Sequence, residues 1–85
     1  MKEFQHSIKD ELGLHARPCG LLVKEAKKYK SKITITFGEK KADAKGLIGV
    51  MTLGVKHGDA ITITIEGEDE DQAFEELQSF CSTNV

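Results

Sequence analysis

The 85-residue sequence has no tryptophan, a single proline, two cysteines and only five residues among Phe and Tyr. So few aromatics argue against stacking platforms for nucleic-acid bases, and no nucleic-acid partner is expected. Cys19 and Cys81 are too few and too far apart for a disulfide framework or a zinc site. No run approaches the ~20 apolar residues of a membrane span. Met1 to Gln5 lacks the apolar core of a signal peptide, so a cytoplasmic location without membrane insertion is expected. Gly38 to Gly46 includes Lys45, but the order and spacing are not those of a phosphate-binding P-loop. With no metal-spaced cluster either, neither metal nor cofactor is expected. A chain this short buries only about 60–65% of its unfolded surface, so residues 1–85 are expected to form one domain.

Positive charge is missing from one end. Residues 57–85 contain eight acids and no Lys or Arg, whereas residues 1–56 hold all twelve basic residues against six acids. Such a dipolar chain offers a basic face to an acidic partner or an anionic group.

Hydrophobic spacing gives the elements. Lys2–Ile8 alternates, with Phe4, His6 and Ile8 on one face of a strand. Asp10–Leu14 reads as a loop. From Ala16 to about Tyr29, Cys19, Leu22, Val23, Ala26 and Tyr29 form a helical stripe, with Pro18 harmless in the first turn. Ile33–Phe37 and Lys40–Ala44 read as strands joined at Gly38-Glu39. Gly46–Gly54 suits a two-turn helix, and Ala60–Glu66 is a fourth alternating strand after a turn at Lys56–Asp59. Asp69 is expected to cap a last helix buried through Ala73, Leu77 and Phe80, with Phe74 and Cys81 beside them. The order βαββαβα, with short strands apolar on one face and helices to cover that face, predicts a two-layer sandwich with a largely antiparallel sheet.

The chemistry concentrates at Gly13-Leu14-His15-Ala16-Arg17-Pro18. The first amides of a helix point outward without internal acceptors, so Ala16 and Arg17 can hold an anion. Arg17, the only arginine, adds planar recognition of phosphoryl oxygens. Beside such positive charge His15 should tend to be neutral and nucleophilic near pH 7. Two readings of His15 stand on this physics, a phosphoryl acceptor and an ordinary turn residue at a helix start. His6 reads as a half-buried strand residue, His57 as a solvated turn residue, and both cysteines as core packing. In Gly46–Gly54 the apolar residues Leu47, Ile48, Val50, Met51 and Leu53 outnumber one buried stripe, so two readings stand: some of them face outward as a docking patch, or the segment is a poorly amphipathic helix tucked into the core. Lys24, Lys27, Lys28 and Lys45 would rim such a patch, suiting an acidic protein partner.

Gly13–Pro18, followed by Lys45-Gly46-Leu47-Ile48-Gly49-Val50-Met51-Thr52-Leu53-Gly54, resembles the HPr family over essentially the whole chain. These are the histidine-containing phosphocarriers of the bacterial phosphoenolpyruvate-dependent sugar phosphotransferase system. The resemblance implies an α+β open-faced two-layer sandwich, a four-stranded antiparallel sheet with three helices on one face, and a phosphocarrier rather than a free-standing enzyme. It implies that His15 takes phosphate on Nδ1 from phosphorylated enzyme I and passes it to IIA domains of sugar permeases. Arg17 would contact the phosphate, and Leu47–Met51 would belong to the docking surface of a protein acting as a monomer. Where many family members carry a regulatory serine after this lysine, the chain has Gly46, so that input is expected to be missing. Cys19, one turn from His15, would make the site oxidation-sensitive if its thiol were accessible. A nitrogen-related phosphorelay is the alternative within the family. A small RNA-binding module is the alternative outside it, disfavoured because Ile33 to Thr36 offer no paired aromatics.

Overall fold

The computed structural model describes residues 1–85 as β1 (Lys2–Ser7), α1 (Ala16–Ala26), β2 (Lys32–Phe37), β3 (Lys40–Asp43), α2 (Leu47–Met51), β4 (Ala60–Glu66) and α3 (Glu70–Asn84). The strands form one antiparallel sheet in the order β1-β4-β2-β3. Register follows the two Ile-Thr-Ile-Thr runs. Ile33 faces Ile65 and Ile35 faces Ile63, while Thr34 and Thr36 face Thr64 and Thr62. A strand's side chains alternate between faces, so this pairing sends every isoleucine into the core and every threonine to the other face. Ile33, Ile35, Ile61, Ile63 and Ile65 are all buried, and the threonines are half-buried. The three helices cover the isoleucine face, giving the two-layer arrangement that the spacing predicted and the open-faced sandwich that the resemblance implied. A single cluster of 21 buried apolar residues joins the two layers.

The helices differ from the sequence reading at their ends. α1 closes at Ala26, and the Lys28 and Tyr29 amides bond to the Glu25 and Ala26 carbonyls three residues back. The helix thus tightens into turns, and Tyr29 still reaches the core at 5% exposure. Asp69 does not cap α3. Its carboxylate turns away and accepts from the Lys30 and Ser31 amides, both at 2.9 Å, and from the Ser31 hydroxyl. That segment before β2 has no strand partner for those amides, so a carboxylate satisfies more donors there than at the helix start. On α3 the fully buried stripe is Ala73, Leu77 and Cys81, spaced four apart, and Phe80 is only half-buried. Phe74 lies beside the sheet edge, its ring 5.8 Å from that of Phe4 in an edge-to-face contact.

Gly13 fixes how the β1–α1 loop enters the helix. Its φ is +75°, and a Cβ there would lie 2.6 Å from the Val55 carbonyl oxygen and 2.7 Å from Lys56 Cα. Only glycine allows that approach. The loop is then locked by the Leu14 amide donating to the same Val55 oxygen at 2.9 Å.

Candidate functional site

α1 begins immediately after His15, whose backbone is extended (φ −87°, ψ −172°) and whose carbonyl accepts the first helical bond from Cys19 at 3.0 Å. The His15 ring makes no capping bond to the helix. The amides of Ala16 and Arg17 have no acceptor anywhere in the protein, and Pro18, buried, has none to offer. Two free N–H groups at the positive end of an eleven-residue helix therefore open to solvent beside the imidazole.

Asp10, read from the sequence only as a loop residue, lies opposite His15. Its Oδ1 is 3.3 Å from His15 Nε2 and accepts the Leu12 amide at 2.9 Å. The Leu12 amide, then His15 and Arg17, hold the Asp10 carboxyl below the usual carboxylate range. Nε2 thus lies beside a carboxylate, and Nδ1 has no hydrogen-bond partner within the protein. The clue in the sequence is the Asx-turn pattern of an aspartate two residues before a loop amide, but nothing in the spacing shows that the turn aims Oδ1 at residue 15.

Arg17 is exposed and has no acid within ion-pair distance. It lines an open cleft of about 280 Å³ with Asp10, Pro18, Leu21, Thr83 and Asn84. The end of α3 thus borders the site, which local sequence patterns could not reveal. Leu21 follows Arg17 by four positions and so shares its helical face; that spacing was a readable signal.

The Gly46–Gly54 segment is divided between core and surface. Val50 and Leu53 are buried, while Leu47, Ile48 and Met51 are 42%, 78% and 41% exposed. Leu12 and Leu21, also exposed, add apolar surface that the sequence reading did not include. Lys24 and Lys27 are exposed and free of ion pairs. Lys28 and Lys45 are not free: Lys28 pairs with Glu25 at 2.9 Å, and Lys45 Nζ donates to the Tyr29 carbonyl at 2.7 Å. The basic rim is therefore narrower than four lysines.

The remaining chemistry-bearing residues separate from the site. Cys19 is fully buried, donates to the Leu14 carbonyl at 3.1 Å and has its thiol pushed up to about 11 by burial. Neutral and inaccessible, it gives no oxidation sensitivity; it packs beneath the loop. Cys81 is likewise buried, pushed up to about 12. His57 is exposed and reaches only the Asp10 carbonyl, at 3.3 Å. No group of three or more His, Cys, Asp or Glu side chains is placed to hold a metal ion.

The PTS-HPr family model, described as the PTS HPr component phosphorylation site, matches residues 2–83. The chain belongs to the HPr family. It is 48% identical over 77 residues to the phosphocarrier protein HPr of Lysinibacillus sphaericus, covering 91% of this chain and 88% of that protein. Among solved structures, HPr from Thermoanaerobacter tengcongensis superposes with a TM-score of 0.93 at 39% identity, covering 99% of this chain and 94% of that one. The Bacillus subtilis catabolite repression protein Crh, described as a swapped dimer, matches at a TM-score of 0.77 and 34% identity, covering 100% and 98%. HPr proteins are carriers of the phosphotransferase system rather than enzymes. In this fold His15 immediately precedes two amides without acceptors, and the Arg17 guanidinium beside them has no ion-pair partner.

Proposed function

We propose that His15 accepts a phosphoryl group on Nδ1 from phosphorylated enzyme I and delivers it to IIA domains of sugar permeases in the cytoplasm. The observation that carries this reading is the setting of the residue: Nε2 lies 3.3 Å from Asp10, Nδ1 has no hydrogen-bond partner, and His15 immediately precedes the unbonded Ala16 and Arg17 amides at the start of α1. The transferred group is a dianion, so amides, helix dipole and the Arg17 guanidinium all favour its oxygens. Phosphoryl transfer needs alignment and charge neutralisation more than covalent help, and a partner protein supplies what a flat site lacks.

Docking is assigned to Leu47, Ile48 and Met51 with Lys24 and Lys27, an apolar centre with a basic flank suited to acidic partners. The carrier acts as a monomeric single domain. Gly46 at the start of α2 has no hydroxyl, so the protein is not a substrate for a kinase that modifies a serine there.

The test is incubation with phosphoenolpyruvate, Mg²⁺ and enzyme I, read by intact mass and peptide mapping. One acid-labile phosphate on His15, absent from His15→Ala, is the expected result. Phosphate on His6 or His57 would refute the assignment.

A further inference from the structure

We infer that Asp10 is a positioning residue for the phosphoryl-accepting imidazole: it holds the proton on His15 Nε2 and so keeps the reactive lone pair on Nδ1. The inference rests on the reading of His15 as acceptor but concerns a different residue and a different property. Asp10 Oδ1 stands 3.3 Å from Nε2. The carboxylate does not swing freely to that position, because the same Oδ1 accepts the Leu12 amide at 2.9 Å, closing an Asx turn. The Asp10 carbonyl in turn accepts the Gly13 amide at 2.9 Å and meets His57 Nδ1 at 3.3 Å. Gly13 then passes the loop against Val55 and Lys56, where no side chain fits. The Asx turn and the close approach of Gly13 to the Val55–Lys56 loop together hold one carboxylate oxygen within 3.3 Å of one ring nitrogen.

The consequence is chemical. A neutral imidazole carries its proton on either nitrogen, and the hydrogen bond at one nitrogen decides which lone pair is available at the other. In transfer the Nδ1 lone pair forms the bond to phosphorus, while the donor's bond to phosphorus breaks and its electron pair returns to the donor. The Nε2 proton stays in place throughout. The ring gains positive charge as the new bond forms, and the Asp10 carboxylate faces that charge from the side opposite the incoming phosphoryl oxygens. On delivery the electron pair returns to Nδ1 and the ring is neutral again. Asp10 therefore favours the correct tautomer before transfer and the charged ring after it, without touching the phosphoryl group.

The test compares the parent with Asp10→Asn and Asp10→Ala. Ring ¹⁵N chemical shifts of unphosphorylated His15, at a pH where the ring is neutral, report the tautomer without any partner protein. The parent and Asp10→Asn, which retains an acceptor and the Asx turn, are expected to keep the proton on Nε2. Asp10→Ala is expected to show a several-fold larger Nδ1–H population. Phosphoryl acceptance from enzyme I should slow on the order of tenfold in Asp10→Ala and less in Asp10→Asn. That falls well short of the ~10⁴-fold loss at a buried aspartate–histidine couple, because this pair is about a third exposed and screened. The same Nδ1–H population in parent and Asp10→Ala would overturn the inference, as would rates equal to the parent's in both variants. A parent His15 that takes no phosphate would refute the acceptor reading instead, and the tautomer comparison would still decide the role of Asp10.

Discussion

The Arg17 side chain has its charge to spare, with no acid in ion-pair range and a place in an open cleft beside the helix start. Arg17→Lys keeps the charge but loses the planar fork. Stability is expected to change by under ~0.5 kcal/mol, as for surface positions generally. Transfer from enzyme I should slow on the order of tenfold, the cost of one charge-assisted contact. Equal rates would remove the guanidinium from the site. Gly13 shows the opposite balance, being structural first. Gly13→Ala forces a side chain into the left-handed region and onto the Val55 carbonyl, and should cost about 2 kcal/mol. Denaturant unfolding measures that cost. Residual folded protein should also accept phosphate more slowly, because the loop that carries Asp10 and His15 is displaced.

At the scale of elements, α2 is the piece whose sequence and surroundings leave most room for change. Its Ncap, Gly46, has φ −112° and ψ 107°, ordinary extended backbone, and makes no side-chain cap. A Cβ there would meet only the Asp43 carbonyl oxygen, at 3.6 Å, an ordinary contact. Gly46→Ser should therefore fit, cap the helix and stabilise the protein by about 0.5 kcal/mol, through capping and a less flexible unfolded chain. Gly46→Asp should stabilise the helix start as well. It places a negative charge beside Leu47 and Ile48, however, and is expected to weaken enzyme I binding about tenfold by calorimetric titration. Unchanged affinity would take α2 out of the docking surface. α3 illustrates why sequence patterns misjudge caps. Asp69 stands at a cap position, yet the amides of Lys30 and Ser31, distant in sequence, claim its carboxylate.

For the whole molecule the pH dependence of stability has a definite sign. Asp69 is held below the ordinary carboxylate value by the Ser31 hydroxyl and the Lys30 amide, Asp10 by the Leu12 amide, Glu25 by Lys28, and Glu70 by the amino terminus. A depressed carboxylate binds more protons unfolded than folded. Its contribution is complete above the unfolded values of 3.8 and 4.5 and is lost as pH falls through the folded ones. His6 acts in the same direction at higher pH. Burial depresses it from 6.5, and its Nε2 is buried without a partner, so protonation on acidification favours unfolding. Thermal unfolding should show stability declining gently below pH 6.5 and steeply below about 4.5. His6→Leu should remove the gentle part only and raise stability at pH 7 by about 1 kcal/mol, since an unsatisfied buried nitrogen is eliminated. If His6→Leu keeps the same slope between pH 6.5 and 5, His6 is not its source.

The element order and the core faces of β1, β2 and β4 were legible because alternation and helical spacing act locally: Phe4, Ile33, Ile35, Ile61, Ile63 and Ile65 declare their face in the sequence and are buried in the structure. The candidate site was legible for the same reason, since His15, Ala16 and Arg17 are neighbours in one helix start whose free amides follow from backbone geometry alone. Contacts between segments distant along the chain were not. The strand order β1-β4-β2-β3, the end of α3 beside Arg17, and the transfer of Asp69 from its own helix to the Ser31 segment depend on how the layers pack. Even Asp10, five residues from His15, needed the tertiary structure. Its aim at Nε2 is set by a glycine pressed against Val55 and Lys56, and that approach exists only once β4 has brought the preceding loop alongside.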